Sequence, residues 1–156
     1  IGEDGGVKVL EYNCRFGDPE TQPIMLRLKS DLVALCLAAL EGKLDRVQAE
    51  WDPRVSLGVV MAAGGYPDSY AKGSVISGLP DADSPETKVF HAGTKTEGGA
   101  IVTTGGRVLC VTALGDSVSA AQQGAYRVAR QIHWQDAYYR RDIGHRAVAR
   151  EQGGRD

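Results

Sequence analysis

Charge of one sign, cysteine pairs and long apolar runs are all scarce in this 156-residue sequence, and each shortage excludes a class of protein. Lys and Arg number 18 against 20 Asp and Glu, a formal net charge of −2. No cationic excess exists to displace counterions from a nucleic acid, so a polybasic nucleic-acid binder is excluded as the default. The longest apolar stretch, Leu32 to Leu40, ends in Glu41-Gly42-Lys43. It falls far short of the roughly 20 residues that a membrane-spanning helix needs. Only three cysteines occur, Cys14, Cys36 and Cys110, with no Cys-x-x-Cys spacing. An odd, scattered set excludes a self-contained disulfide framework and a zinc knuckle, and reduced thiols in the cytoplasm are the plain reading. His91, His133 and His145 show no metal-ligand spacing. No P-loop pattern is present, and no Ser/His/Asp or Cys/His constellation offers a nucleophile.

What is present is ordinary for a globular protein: 42% hydrophobic and 24% charged residues. The length suits one domain or parts of two. Twenty glycines imply many turns and close backbone approaches. The opening Gly2-Glu3-Asp4-Gly5-Gly6 reads as a hairpin turn whose first strand lies upstream, so the sequence is expected to be the C-terminal piece of a longer protein.

Val7 to Arg15 reads as a strand with Glu11, Asn13 and Arg15 on one face and Cys14 on the other, the latter expected to pack in the core. Asp18 followed by Pro19 suits the start of a helix, which Pro23 should keep short. Ser30 and Asp31 cap a stronger helix through Leu32, Leu35, Cys36, Ala39 and Leu40, stopped by Gly42. The polar segment Asp45 to Arg54 marks a boundary. Beyond it, Leu57 to Ala63, Val75-Ile76, Lys88 to His91, Ala100 to Thr103 and Arg107 to Ala113 read as short strands, with a turn at Gly64 to Pro67. Asp116 or Ser117 caps a helix with Val118, Ala121, Ala125, Val128, Ala129 and Ile132 on one face. Trp51 and Trp134 are expected to pack, and Glu151 to Asp156 reads as a disordered tail. The expected fold class is α+β.

Chemistry concentrates at Glu11, Asn13 and Arg15. Alternate residues of a strand stand about 6.6 Å apart on one face, close enough for two oxygen ligands to converge on one magnesium with phosphate oxygens and water. An arginine one step further can neutralise charge on a transferring phosphoryl group. A solvated sheet face is the competing reading of such a short pattern. The following Gly17-Asp18-Pro19-Glu20-Thr21-Gln22 adds acids and free N–H groups beyond the strand end, where α/β proteins tend to bind ligands. Further on, Lys95 and Arg107 sit beside glycine loops and suit a ribose phosphate, although two solvated surface cations would look the same.

The run Leu10-Glu11-Tyr12-Asn13-Cys14-Arg15-Phe16-Gly17-Asp18-Pro19-Glu20-Thr21-Gln22 closely resembles the signature of the glycinamide ribonucleotide synthetase family of ATP-grasp ligases. The resemblance continues through Leu57 to Pro67, Val89 to Thr94 and Gly105 to Thr112, and so spans essentially the whole chain. It implies that residues 1–54 end an ATP-grasp domain carrying the metal and ATP strand, and that residues 55–156 form a small mixed, β-rich C-terminal domain with a packed helix. It also implies ATP-dependent ligation of glycine to 5-phosphoribosylamine through an acyl phosphate, in de novo purine synthesis. By position, Glu11 and Asn13 match the family's magnesium (or manganese) ligands, Arg15 the catalytic arginine, Asp18 and Glu20 the substrate border, and Lys95 and Arg107 the substrate phosphate.

The expected partners are ATP, glycine, the amine and the remainder of the same polypeptide, in a cytoplasmic monomer without nucleic-acid or membrane contacts. The lobe over adenine, the phosphate-binding lysines and the lid are missing from the sequence, so this piece alone is expected to be inactive. Two other readings stay open: a non-catalytic phosphate- or nucleotide-binding module, and another ATP-grasp carboxylate–amine ligase.

Overall fold

Seven consecutive residues of one strand, Val108 to Leu114, are buried, and that fact organises the fold. The strand, β5 (Arg107–Gly115), lies between β1 (Val55–Ala62) and β2 (Thr87–His91), antiparallel to both, in the order β1-β5-β2. A strand paired on both edges and covered on both faces has no place for alternating polar residues, which explains its near-continuous apolar run. The computed structural model describes residues 5, 6, 9–82 and 84–153.

One face of the sheet presents Leu57, Val59 and Met61 beside Leu109, Val111 and Ala113. Helix α3 (Val118–Ala129) covers it with Ala121, Gly124 and Ala125. Small residues bring the helix backbone close: a Cβ added at Gly124 would stand 3.1 Å from that of Ala113. Fully buried side chains such as Met61 and Val111 each contribute about 1.5–3 kcal/mol. The opposite face meets α1 (Thr21–Arg27), where a Cβ at Gly58 would lie 3.1 Å from both Cys110 Sγ and Pro23 Cγ.

A second, two-stranded ribbon pairs β3 (Thr94–Glu97) with β4 (Ala100–Thr103). Its turn is Gly98-Gly99 with φ of 57° and 80°, the positive pair that a type I′ hairpin requires. Strand β3 is not among the elements expected from the sequence, because Thr-Lys-Thr-Glu carries no apolar alternation. Val75-Ile76 is not a full strand but a bridge of Val75 to Val102. After α3 a strap runs back along β1, with Tyr138 and Ala62 exchanging both backbone hydrogen bonds at 2.7 and 2.9 Å. It ends in α4 (His145–Glu151).

The α3 start is closed twice. Ser117, not Asp116, is the cap, and its hydroxyl accepts from the Ala120 N–H at 3.0 Å. The carboxylate of Glu151 accepts from Val118 N–H at 2.6 Å and Ser119 N–H at 3.2 Å. Glu151 is therefore ordered helix rather than tail; residues 154–156 lie outside the described residues. Ile132 is buried as expected, but three residues past the helix end.

The N-terminal quarter departs most from expectation. The turn at Gly2 to Asp4 and the residues Val7 and Lys8 lie outside the described residues. Residues 9–15 form no strand, because a ladder needs a neighbour for its N–H and C=O groups and no described segment pairs with them. With no sheet to point into, Cys14 is exposed. Helix α2 (Leu32–Leu40) forms where expected, with the Asp31 carboxylate accepting from Val33 and Ala34 N–H. Yet none of its residues is buried: Leu37 is 54% and Leu40 85% exposed. Trp134 packs, whereas Trp51 is 46% exposed. No helix among the described residues is long and apolar enough to cross a membrane.

Candidate active site

The signature residues meet in an open cleft of about 440 Å³ lined by Asn13, Arg15, Phe16, Gly17, Asp18, Glu20 and Ile24. Four of the predicted site residues are thus brought together, although the strand expected to align them is absent. Glu11 is exposed and does not line this cleft. The Arg15 guanidinium donates to the neighbouring Phe16 carbonyl at 3.0 Å, which leaves other N–H groups facing solvent.

Helix α1 starts at Thr21 after Glu20, not at Asp18-Pro19. The physical reason is that Asp18 is engaged elsewhere. Its carbonyl accepts from Arg107 Nη1 at 2.8 Å, and its Oδ2 lies 3.4 Å from Arg107 Nε. Gln22 Nε2 approaches its other oxygen at 3.5 Å. The helix is short, at seven residues, with Pro23 within it. Glu20 folds back over Gly17 so closely that a Cβ there would overlap its carboxylate. Gln22 Oε1 is buried without a hydrogen-bond partner among the described residues, an acceptor left open beside the cleft.

Arg107 opens β5 and is placed by its neighbours. Gly106 lies under the Tyr66 ring with no room for a side chain, and Gly93 and Gly105 meet backbone to backbone. Sequence reasoning left Tyr66 out of the site; the paired Gly105-Gly106 opposite the turn at Gly64 to Pro67 was the available signal. Lys95 is on β3, paired with Glu97 at 3.2 Å and exposed. The structure therefore joins Arg107 to Asp18 rather than to Lys95. His91 Nδ1 and Thr94 Oγ1 are 3.0 Å apart, which ties the end of β2 to the start of β3.

Two further groups define the electrostatics near α1. Burial pushes the Cys110 thiol up, against a weaker opposing contact with Thr112, so it stays a neutral packing group behind Gly58 and Pro23. Asp52 is held well below the carboxylate range by hydrogen bonds from the Arg54 side chain and backbone N–H. The Asp52 main chain exchanges bonds with Arg27, at 2.7 Å to its carbonyl and 3.1 Å from its Nε, which fixes the end of α1 to the entry of β1.

Among the described residues no three His, Cys, Asp or Glu side chains converge as a ready-made metal cage. The donors at Glu11 and Asn13 are a carboxylate and an amide oxygen, hard ligands of the type magnesium takes when phosphate oxygens complete its shell.

The structure is an antiparallel α+β domain whose central-strand arginine, Arg107, holds Asp18 of the preceding signature loop. Residues 56–146 match the model of the phosphoribosylglycinamide synthetase C domain, and the chain belongs to that family. It is 67% identical over 152 residues to the phosphoribosylamine–glycine ligase of Vibrio cholerae, covering 97% of this chain and 35% of that protein. The ligase of the same name from Pseudomonas aeruginosa is 63% identical over 153 residues, covering 98% and 36%. The crystal structure of phosphoribosylamine–glycine ligase from Thermotoga maritima superposes with a TM-score of 0.70 at 38% identity, covering 86% of this chain and 33% of that one. The chain thus spans about a third of the length of its relatives.

Proposed function

We propose that this segment supplies part of the active site of an ATP-dependent ligase that joins glycine to 5-phosphoribosylamine, giving glycinamide ribonucleotide, ADP and phosphate. The observation that carries the reading is the cleft in which Asn13, Arg15, Asp18 and Glu20 meet, tied to the C-terminal sheet by Arg107. The name shared by its relatives supports the substrates.

In this reading residues 1–54 end the ATP-grasp domain and residues 55–156 form the C-terminal domain, in a cytoplasmic monomer. The remainder of the polypeptide brings the adenine pocket and lid, so this piece alone is inactive. Glu11 and Asn13 would hold magnesium, or manganese, which supplies positive charge at the ATP phosphates. Arg15 faces the reacting phosphoryl group. A glycine carboxylate oxygen attacks the γ-phosphorus, the bond to ADP breaks, and Arg15 offsets the charge that gathers on the phosphoryl oxygens. The amine nitrogen then attacks the acyl carbon, loses a proton and expels phosphate. Asp18 and Glu20 border the substrate amine and glycine, and Lys95 and Arg107 take the ribose phosphate. Binding it makes Arg107 share its guanidinium between Asp18 and the ligand, and draws Lys95 from Glu97.

The test is coupled ADP release by the full-length protein with each substrate omitted in turn. Release that requires both glycine and the amine is expected, and is lost in Arg15→Ala. Release indifferent to glycine overturns the substrate assignment.

A further inference from the structure

A second polar cavity, of about 340 Å³, lies on the other side of the sheet from the signature cleft. Tyr126 and Arg130 of α3 line it together with Tyr139 and Arg141 of the strap. Because α1 and α3 cover opposite faces of β1 and β5, the sheet stands between this cavity and the cleft.

The walls are fixed by a buried phenol. The Tyr126 hydroxyl donates to the Arg140 carbonyl at 2.7 Å and accepts from the Ile143 N–H at 3.0 Å. Gln122 Nε2 adds a bond to the Ile143 carbonyl at 2.7 Å. Burial pushes the phenol up from its ordinary range, so it remains a neutral donor. The strap is thereby locked to α3 without using any charge.

The charges around the cavity are unequal. Arg140 is spent on Asp142, with bonds of 2.9 and 2.6 Å to its two oxygens. Arg130 and Arg141 form no ion pair among the described residues. Arg130 lies over the Tyr126 ring, 6.0 Å from its centroid, which holds the guanidinium at the rim. Two uncompensated guanidinium groups on pre-organised walls match a compact, multiply charged anion, because each planar fork can donate two parallel bonds to phosphate oxygens. A polar cavity confined to four side chains suits a single phosphate group better than an extended polyanion, which a row of surface cations would serve.

We infer that this cavity is a second ligand site, which takes the phosphate group of a small phosphorylated compound between Arg130 and Arg141, apart from the signature cleft. It is independent of the ligase reading.

Calorimetric titration of the full-length protein with inorganic phosphate tests it, comparing wild type with Arg130→Ala/Arg141→Ala and with Arg107→Ala. Both arginines are exposed, so the double variant should keep its far-UV circular dichroism. Loss of charged hydrogen bonds should weaken one class of phosphate sites at least about tenfold. Arg107→Ala should retain that class, and Arg130→Lys/Arg141→Lys should bind between the two extremes. Identical isotherms for wild type and the double alanine variant overturn the inference. Displacement of phosphate from these arginines by a single-stranded oligonucleotide at lower concentration also overturns it, in favour of a polyanion surface.

Discussion

Arg107 holds Asp18 across 89 positions of sequence, donating to its carbonyl at 2.8 Å and standing 3.4 Å from its carboxylate. The first residue of the central strand thereby fixes the loop that carries the signature acids. Both side chains are partly exposed, at 39% and 48%. At that exposure an ion pair contributes about 0.2–1 kcal/mol, too little to hold the fold. Its consequence is positional: it sets where Asp18 and Glu20 stand relative to α1 and the sheet.

Arg107→Ala should therefore leave thermal unfolding of the full-length protein nearly unchanged while raising the KM for the phosphorylated amine. Removing a charged bond to phosphate costs about 1.5–3 kcal/mol, roughly ten- to a hundredfold in KM. Arg107→Lys should recover part of it. Steady-state kinetics at saturating glycine read the split between KM and kcat; a KM for the amine within twofold of wild type would remove Arg107 from the phosphate site.

Asp52 and Arg54 give a pH signature. The folded-state carboxyl of Asp52 is depressed by its bonds from Arg54, so its contribution is complete above the unfolded-state value near 4. It fades as pH falls from there toward the lower folded-state value. The difference in midpoint temperature between wild type and Asp52→Asn should be constant from pH 7 to about 5 and should shrink below about 4. A difference that grows on acidification would reverse the assignment.

Glu151 should protect the first turn of α3. Its carboxylate accepts the N–H groups of Val118 and Ser119, beside the Ser117 cap on Ala120. Loss of one cap costs about 1 kcal/mol, so Glu151→Ala should speed hydrogen exchange at those two amides about fivefold. Ser117→Ala should act on the Ala120 amide instead. Mass spectrometry with fragment-level resolution distinguishes the two, and unchanged exchange in both variants would show that the caps do not limit opening.

The strands of the C-terminal domain were legible because burial leaves a direct mark: β5 is buried from Val108 to Leu114 because both of its faces are covered, and Leu57, Val59 and Met61 of β1 are buried beside it. The α3 cap was legible as a pair of candidates, since Asp116 and Ser117 are both good caps and only geometry selects Ser117. Glu151 was not, because its partner amides lie 33 and 32 positions away. Strand β3 left no apolar trace, and the Gly98-Gly99 turn was its one signal. The alternation of Glu11, Asn13 and Arg15 predicted a strand, but alternation does not supply the neighbour a ladder needs. The engagement of Asp18 by Arg107 could not be read locally, and it displaced the helix start to Thr21. The grouping of Asn13, Arg15, Asp18 and Glu20 followed from their nearness in sequence, whereas the separate pairing of Lys95 with Glu97 depended on the hairpin.

The most direct measurement uses the full-length protein and glycine whose carboxylate carries heavy oxygen, with the released inorganic phosphate weighed by mass spectrometry. Attack by the carboxylate on the γ-phosphorus, followed by amine displacement, transfers one glycine oxygen to each phosphate. Labelled phosphate that appears with wild type, and is suppressed along with turnover in Arg15→Ala, is the predicted result. Unlabelled phosphate from wild type would contradict the acyl phosphate route, and labelled phosphate produced at full rate by Arg15→Ala would take the chemistry away from this cleft.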